Sequence, residues 1–416
     1  MKGFFSSEEL RRTNQTVNLG KPLSCYSCGL LKSKVTLVEP HGGNALHIMV
    51  LLPEPISANQ ISGGPSGTYL KRCLAKCGVD LERDCLTVPV VKCKPLDSEG
   101  PTDHQIQCCS SFLKKVVRKY QPILILAFGM EAVKSLIPVK ELKSIASIET
   151  FRGELIPSQE LQTWICPMWH PSVPMRKRDD GDLSGEVLFL RDLNRALELL
   201  NMCTEEEQEY LGTDYNSLVD KYTDPYKIAE VIDSFTNGDH SDFVAFDYET
   251  TGLKPQAEGH NVRTGSLCGD GRAASFLLFD KDWTQEQLDL VDDAWIRFLR
   301  SPIKKTGHNI KFETIWSTVI YGVEPVNMVW CSMIASHIIC TTPGTHGLKF
   351  RAYVELGLLP YNAQVEQYLK SNGDSGNDMN RVMQAPVPDL LLYGGLDSLL
   401  QRKLALRQME QIGYGI

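Results

Sequence analysis

The sequence predicts an α/β protein of two domains, and three observations carry that prediction. Apolar runs alternate with amphipathic stretches along most of the chain, and the alternation breaks once, at a polar acidic segment. At 416 residues the chain also exceeds what one hydrophobic core serves, since domains run to roughly 100–200 residues. Leu46–Leu52 and Ile123–Phe128 read as buried strands, with helices at Tyr69–Cys77, Gln105–Tyr120 and Val187–Leu200, so residues 1–200 form the first domain. The break runs from Cys203 to Asp214, with Glu205–Glu207 and Gly212, and places a linker at 201–224. The second domain, 225–416, starts with a helix near Ile228–Phe235, a strand Phe243–Asp247, a strand Ala274–Phe279 and a helix Gln285–Leu299. Helices follow at Phe312–Ile320, Met333–Ile339, Leu348–Leu356 and Asp389–Gln411, and Lys370–Asn377 has the composition of a mobile loop.

Apolar and charged fractions are ordinary, no apolar run approaches the roughly 20 residues that span a bilayer, and Met1 to Arg12 lack the apolar stretch of a signal peptide. No membrane partner is expected, and the protein is placed in a cytoplasm, bacterial or of a phage-infected host. Ten of the thirteen cysteines precede residue 204; in a long chain with an odd count they read as thiols or metal ligands rather than disulfides. The net charge of −8 hides an asymmetry: residues 1–200 carry 25 Lys and Arg against 21 Asp and Glu, leaving 18 against 30 for the remainder. This is either scatter or a mildly basic module that holds nucleic acid beside an acidic one that gathers metal ions.

The acidic half contains three short elements. Val244-Ala245-Phe246-Asp247-Tyr248-Glu249 is an apolar strand ending in two acids spaced two apart, which strand alternation puts on one face. Gly307-His308-Asn309-Ile310-Lys311-Phe312-Glu313 is a strand end and turn feeding a helix, and adds a third carboxylate. Tyr393-Gly394-Gly395-Leu396-Asp397 puts a phenol and a carboxylate on one helical face, about 5–6 Å apart. Each alone is weak, since a solvated strand end explains an Asp-x-Glu pair as well as a metal site does.

In this order and at these separations the three resemble the proofreading 3′-5′ exonuclease domains of bacterial and phage family A DNA polymerases, the subgroup with four acids and a tyrosine. The resemblance runs from about Tyr226 to the C-terminus and includes Cys331-Ser332-Met333-Ile334-Ala335-Ser336-His337 and the short Gly347-Leu348-Lys349 segment. Glu313 stands where many members have aspartate, and Cys331 where many have an aspartate that is not a ligand. The resemblance implies that Asp247 bridges two divalent ions, that Glu249 and Asp397 complete the site that activates water, that Glu313 supports the second ion, and that Tyr393 orients the water. Two Mg²⁺, with Mn²⁺ as substitute, are expected because every ligand is oxygen. Asn309 is placed among the residues that contact DNA.

In the first half, Cys25-Tyr26-Ser27-Cys28, Val90-Val91-Lys92-Cys93-Lys94-Pro95 and Cys108-Cys109 offer thiolates for zinc or an iron–sulfur cluster, and spacing alone does not choose. Together with Gly63-Gly64-Pro65, Ala127-Phe128-Gly129, Trp169-His170-Pro171-Ser172 and Phe189-Leu190-Arg191-Asp192-Leu193, they resemble the iron–sulfur uracil-DNA glycosylases over roughly residues 20–200. The resemblance assigns Cys25, Cys28, Cys93 and Cys109 to one [4Fe–4S] cluster, with zinc as the alternative and Cys108 as a neighbour; Cys73 and Cys77 read as core thiols. The catalytic pocket departs from that family: Pro53 stands where an acid belongs unless a one-residue slip lets Glu54 replace it, Ser66 replaces a stacking Phe, and Pro89 replaces the Asn that reads uracil. His170 survives. Arg176-Lys177-Arg178 follows on the loop that in the family enters DNA, and reads either as phosphate contact or as a solvated charge cluster.

The two resemblances imply an α/β uracil-DNA-glycosylase-like sandwich joined to a ribonuclease H-like α/β exonuclease domain. The expected function is a 3′-5′ DNA exonuclease acting on single-stranded 3′ ends in replication, beside a glycosylase-like module that has lost its chemistry. No polymerase motif follows the helix bearing Asp397, so either the sequence is cut short of a polymerase domain or, the preferred expectation, its partner is a separately encoded DNA polymerase subunit, as in a split phage system. The rival readings are a repair enzyme that excises uracil and then trims, and a DNA-binding scaffold that does neither.

Overall fold

Ile48–Leu52 is five consecutive apolar residues, every one buried, the signature of a strand covered on both faces. The computed structural model describes residues 25, 27–30, 38–55, 61–94, 100–137, 147–202, 214–238, 240, 242–371, 373, 375 and 377–414. Among them the first sheet has strands β1 His41–Gly42, β2 Ile48–Leu52, β3 Cys85–Pro89, β4 Leu124–Phe128, β5 Ile156–Ser158 and β6 Thr163–Met168, in the order β1-β3-β2-β4-β6-β5. The four inner strands run parallel, and β1 and β5 are antiparallel edges. Helices Gly64–Lys76, Asp103–Tyr120 and Ser184–Met202 supply the crossovers and cover. The Asp103–Tyr120 helix starts on a capping box, Thr102 accepting from the Gln105 amide and Gln105 accepting from that of Thr102. Cys73 is fully buried in the core, and Cys77 lies at its edge.

The second sheet comprises β7 Val219–Tyr222, β8 Val244–Thr250, β9 Val262–Gly269, β10 Arg272–Leu277, β11 Lys305–Gly307 and β12 Met328–Cys331, in the order β12-β11-β8-β9-β10-β7. β8, β9 and β10 form an antiparallel meander, β11 pairs parallel with β8, and β12 pairs parallel with β11. β7 corrects the linker: Val219–Tyr222 lies inside 201–224 yet pairs parallel with β10. Its Val-Asp-Lys-Tyr sequence is too short and polar to stand out. Cys203, Glu205–Glu207 and Gly212 lie outside the described residues, as do 372, 374 and 376 of the Lys370–Asn377 segment. The chain divides into two units, one reaching to Gly212 and taking in Val354–Gly357, the other formed by Thr213–Tyr353 and Leu358–Ile416.

Alternation along β8 sorts its side chains. Phe246 and Tyr248 face helix Gln285–Arg300, where Phe246 packs on Trp295 and Phe298, each with ring centroids 6.0 Å away. The Trp295 indole donates to the Tyr248 hydroxyl at 2.7 Å. Asp247 and Glu249 therefore face the opposite side, which the 25-residue helix Val387–Gln411 covers. Of two mid-helix glycines, costing about 1 kcal/mol each in helix propensity, one sets how near that helix lies. A Cβ at Gly395 would sit 2.3 Å from Val219 Cγ1 and 3.2 Å from Ser275 Cβ, whereas one at Gly394 would make only ordinary contacts of 3.7 Å or more.

Gly395→Ala is therefore expected to destabilise the second unit by about 1–3 kcal/mol of overpacking less the propensity gain, while Gly394→Ala is neutral or slightly stabilising. Urea unfolding of the two variants checks this; equal effects would remove Gly395 as the spacer.

Candidate active site

The acids at 247, 249 and 397 are brought together by two elements, the end of β8 and the middle of helix Val387–Gln411. Ligand oxygens of Asp247, Glu249 and Asp397 all lie within 4.8 Å of one another. Register puts Asp247 opposite Ser266 and Glu249 opposite Thr264 on β9, so small hydroxyl side chains floor the site. A β-bulge follows Glu249 and ends the regular pairing there. Ser266 Oγ donates to the Gly394 carbonyl at 2.8 Å and ties the helix to that floor.

Glu313 arrives from the first turn of helix Ile310–Tyr321. Asn309, left-handed at φ 72°, turns the chain from β11 into that helix without a side-chain cap bond. Glu313 is 2 % exposed, and its Oε2 makes no hydrogen bond among the described residues. That oxygen lies 3.5 Å from where a Cβ on Gly307 would be, so the missing side chain helps to leave it room.

The electrostatics are those of a cation site. Burial, then the Asp397 charge, holds Asp247 well above the usual carboxylate range. Burial followed by Asp247 and Asp397 does the same to Glu249, and burial followed by Asp247 does it to Glu313. Four oxygen donors with one buried unpartnered oxygen fit a hard divalent ion, which would relieve the mutual repulsion that raises these groups.

Three residues that the motifs left without a role stand in the site. Lys349, in the first turn of helix Leu348–Leu356, donates to Asp397 Oδ2 at 2.9 Å and to the Tyr393 hydroxyl. The Tyr361 hydroxyl donates to Asp397 Oδ1. His308 sets Nδ1 2.8 Å from Ser332 Oγ, and burial pushes it down to about 4, which keeps the ring neutral. Lys349 was visible in the Leu-Lys segment; Tyr361 carried no sequence signal, because only the fold brings it to Asp397. Tyr393 is pushed far above its usual range by burial and then by Asp397, and so keeps its phenolic proton.

In the first unit, Cys28, Cys93, Cys108 and Leu30 pack into one small buried cluster. Cys93 is pushed up to about 11 by burial and then by Cys109, Cys28 and Cys25, and Cys109 is raised by burial with Cys25, Cys28 and Cys108 adding. Cys25, Cys28, Cys93 and Cys109 thus lie within one another's electrostatic reach, and thiols that penalise each other's ionisation are relieved by a bound metal centre. Cys108 has its own neighbours, Ser27 Oγ and His104 Nε2, each 3.7 Å away.

A separate cavity of about 630 Å³ is lined by Pro53, Glu54, Ser66, Glu131, His170 and Arg176, among others. Glu54 is raised by burial and then by the Glu131 charge. Glu131, which sequence reasoning passed over, opens the helix after β4. Gly129 is what lets it in: a Cβ there would lie 3.1 Å from Glu131 Oε2 and 3.7 Å from His170 Cβ. His170 Nδ1 meets Ser172 Oγ at 2.8 Å. Pro89 ends β3 opposite Leu52 and is not one of the lining residues. Arg176, Lys177 and Arg178 lie on helix Ser172–Asp179 rather than on a loop. The helix starts directly after Pro171, and Lys177 is engaged by Asp182 at 2.9 Å.

An α/β sheet carrying an acid cluster at a strand end and on a crossing helix defines the second unit as a nuclease. Residues 202–407 match the family model described as 3′-5′ exonuclease, and residues 59–196 that of the uracil DNA glycosylase superfamily. The chain therefore joins a 3′-5′ exonuclease domain to a domain of the uracil DNA glycosylase superfamily. The type-4 uracil-DNA glycosylase of Pyrobaculum aerophilum is 25% identical over 178 residues, 41% of this chain and 86% of that protein. That of Thermotoga maritima is 26% identical over 183 residues, 41% of this chain and 87% of its own length. Among solved structures, Brucella melitensis NrnC aligns with 47% of this chain and 84% of its own, at 20% identity and a TM-score of 0.32. No helix among the described residues is long and apolar enough to cross a membrane.

The raised carboxylates set a pH dependence. A group whose folded pKa lies above its unfolded value of about 4 stabilises the fold below that value and loses this contribution as pH climbs through the folded pKa. Without divalent ions the second unit should thus melt at progressively lower temperature as pH rises above the unfolded value of about 4, and added Mg²⁺ should restore it by an increment that grows with pH. Calorimetry in EDTA and in Mg²⁺ measures both; a Tm in EDTA that does not move with pH would contradict the shifts.

Proposed function

We propose that the second unit hydrolyses single-stranded DNA from its 3′ end with two divalent ions, Mg²⁺ or Mn²⁺, in replication beside a separately encoded DNA polymerase in the cytoplasm. The observation that carries the reading is the convergence of Asp247, Glu249 and Asp397 oxygens within 4.8 Å, with the buried Glu313 beside Asp247. A bound pair of divalent ions supplies a hydroxide near neutral pH and neutralises charge on the attacking and leaving oxygens. Asp247, the more exposed of the three clustered acids, would be shared between the two ions. Glu249 and Asp397 flank it, and Glu313 brings a carboxylate with an oxygen to spare. Tyr393, protonated, is able to donate to the attacking water and accept from Lys349. Asn309 stands at the turn beside Glu313, where a DNA contact is reasonable.

DNA rather than RNA is favoured by the company the nuclease keeps, since the relatives of the first unit are named uracil-DNA glycosylases. In that unit Cys25, Cys28, Cys93 and Cys109 are the set proposed to hold a [4Fe–4S] cluster, with zinc as the alternative, and Arg176, Lys177, Arg178 and His170 are proposed to meet DNA. A second reading, uracil excision followed by trimming, is favoured by one observation, the open cavity where Glu54, Glu131 and His170 meet.

A 3′-terminal exonuclease assay on matched DNA and RNA oligonucleotides tests the first reading: DNA should be degraded to mononucleotides, EDTA should stop it, and Mg²⁺ should restore it. Asp247→Ala or Asp397→Ala should lower the rate at least about a hundredfold, and Tyr393→Phe less, because it leaves the ligands in place. Equal loss in Tyr393→Phe would reassign the phenol. Uracil-containing DNA should yield no abasic sites; their appearance would establish the second reading. Anaerobically purified protein should contain iron and sulfide, with Cys109→Ser losing both and Cys108→Ser keeping them; stoichiometric zinc instead would exclude the cluster.

A further inference from the structure

The acid cluster already has a cation, and the chain supplies it. Lys349 Nζ bridges Asp397 Oδ2 and the Tyr393 hydroxyl, two side chains one turn apart on the same helix, while Tyr361 holds Asp397 Oδ1. Both carboxylate oxygens of Asp397 are thus taken by residues of the 349–361 stretch. Burial works against the Lys349 charge, and Asp397, Glu249 and Asp247 outweigh it, so the group is held as an ammonium. Its side chain remains about a third exposed, at 34% against 6% for Asp397, so it reaches in from the mouth of the site. Three clustered carboxylates, Asp247, Glu249 and Asp397, face this one ammonium, which leaves a net deficit of positive charge that a single lysine cannot fill.

Resting on the reading of the cluster as a divalent-ion site, we infer that Lys349 is its resident counter-cation, and that an ion binding at Asp397 must first displace the ammonium from Oδ2. The lysine then sets the divalent-ion concentration at which the site fills. It stabilises the metal-free cluster, so that the acids do not splay apart, and weakens ion binding in proportion, because ion and ammonium compete for one oxygen. A lysine that merely preorganised the acids would act in the opposite sense and strengthen ion binding. The geometry favours competition: the ammonium is on a ligand oxygen itself, not on a second partner behind it.

The test uses the full chain, without nucleic acid, titrated with Mn²⁺ alone and followed by the loss of free-ion electron spin resonance signal. Lys349→Met should bind Mn²⁺ at least about tenfold more tightly than the parent, since a repelling positive charge has gone, and Lys349→Arg should stay near the parent. Unchanged or weaker binding in Lys349→Met overturns the inference. Asp247→Ala separates the two readings: if it binds Mn²⁺ as the parent does, the divalent-ion site itself is wrong. The unaltered protein gives an independent measurement should Lys349→Met fail to fold. Reductive methylation of Lys349, quantified by mass spectrometry, should rise when Mn²⁺ releases the ammonium, and no rise would also overturn the inference.

Discussion

Four carboxylates held in one small buried volume are the constraint on which the second unit depends. Burial, and after it the charge of neighbouring acids, raises Asp247, Glu249 and Glu313, so the arrangement opposes folding unless positive charge is brought in. Much of the surrounding structure follows from this need. The acids hang from rigid elements, β8 and two helices, rather than from loops that would relax apart. Phe246, Trp295 and Phe298 on the reverse face supply the apolar burial that offsets the cost. Gly395 lets helix Val387–Gln411 approach closely enough for Asp397 to meet Asp247.

The same constraint explains what the sequence could and could not disclose. β8 was legible because its far face is core, so Val244, Phe246 and Tyr248 alternate with the acids. β9 was not, although it is central and fully buried. Its Thr264 and Ser266 form the floor under the acids, and its glycines admit neighbouring side chains, so it lacks the apolar pattern by which strands are recognised. The acids and Tyr393 could be named because their order along the chain resembles a known arrangement. Tyr361 could not, since it lies 36 residues from Asp397 in a stretch with no periodicity. Lys349 was seen as part of a segment, but its ion pair is a tertiary fact.

The first unit shows the reverse balance. Its apolar parallel strands were readable in part: β2 and β4 stand out as apolar runs, while β6 is masked by Cys166 and Pro167 inside a buried strand. Its pocket was read by comparison of single positions, and three dimensions change the weight of those positions. Pro89 supports Leu52 without lining the cavity, whereas Glu131, an unremarked helix-opening residue, does line it. Two neighbouring carboxylates, Glu54 and Glu131, stand in that cavity, and Glu54 stays protonated more readily than usual because of burial and then because of the Glu131 charge.

The two units thus solve different problems with the same kinds of residue. The thiols near Cys93 and the acids near Asp247 are both groups whose ionised forms repel one another, and each set would lower its free energy by sharing a metal centre. They differ in what holds them meanwhile. Cys93, pushed up by burial, stays neutral at ordinary pH, and it packs with Cys28, Cys108 and Leu30 in an apolar cluster without a counter-charge. The acids cannot remain neutral as pH rises, and the Lys349 ammonium and the Tyr361 phenol are gathered around Asp397 in consequence. A site kept ready for cations is one in which the fold itself must imitate a cation, and the weakness of that imitation leaves room for the ion to win.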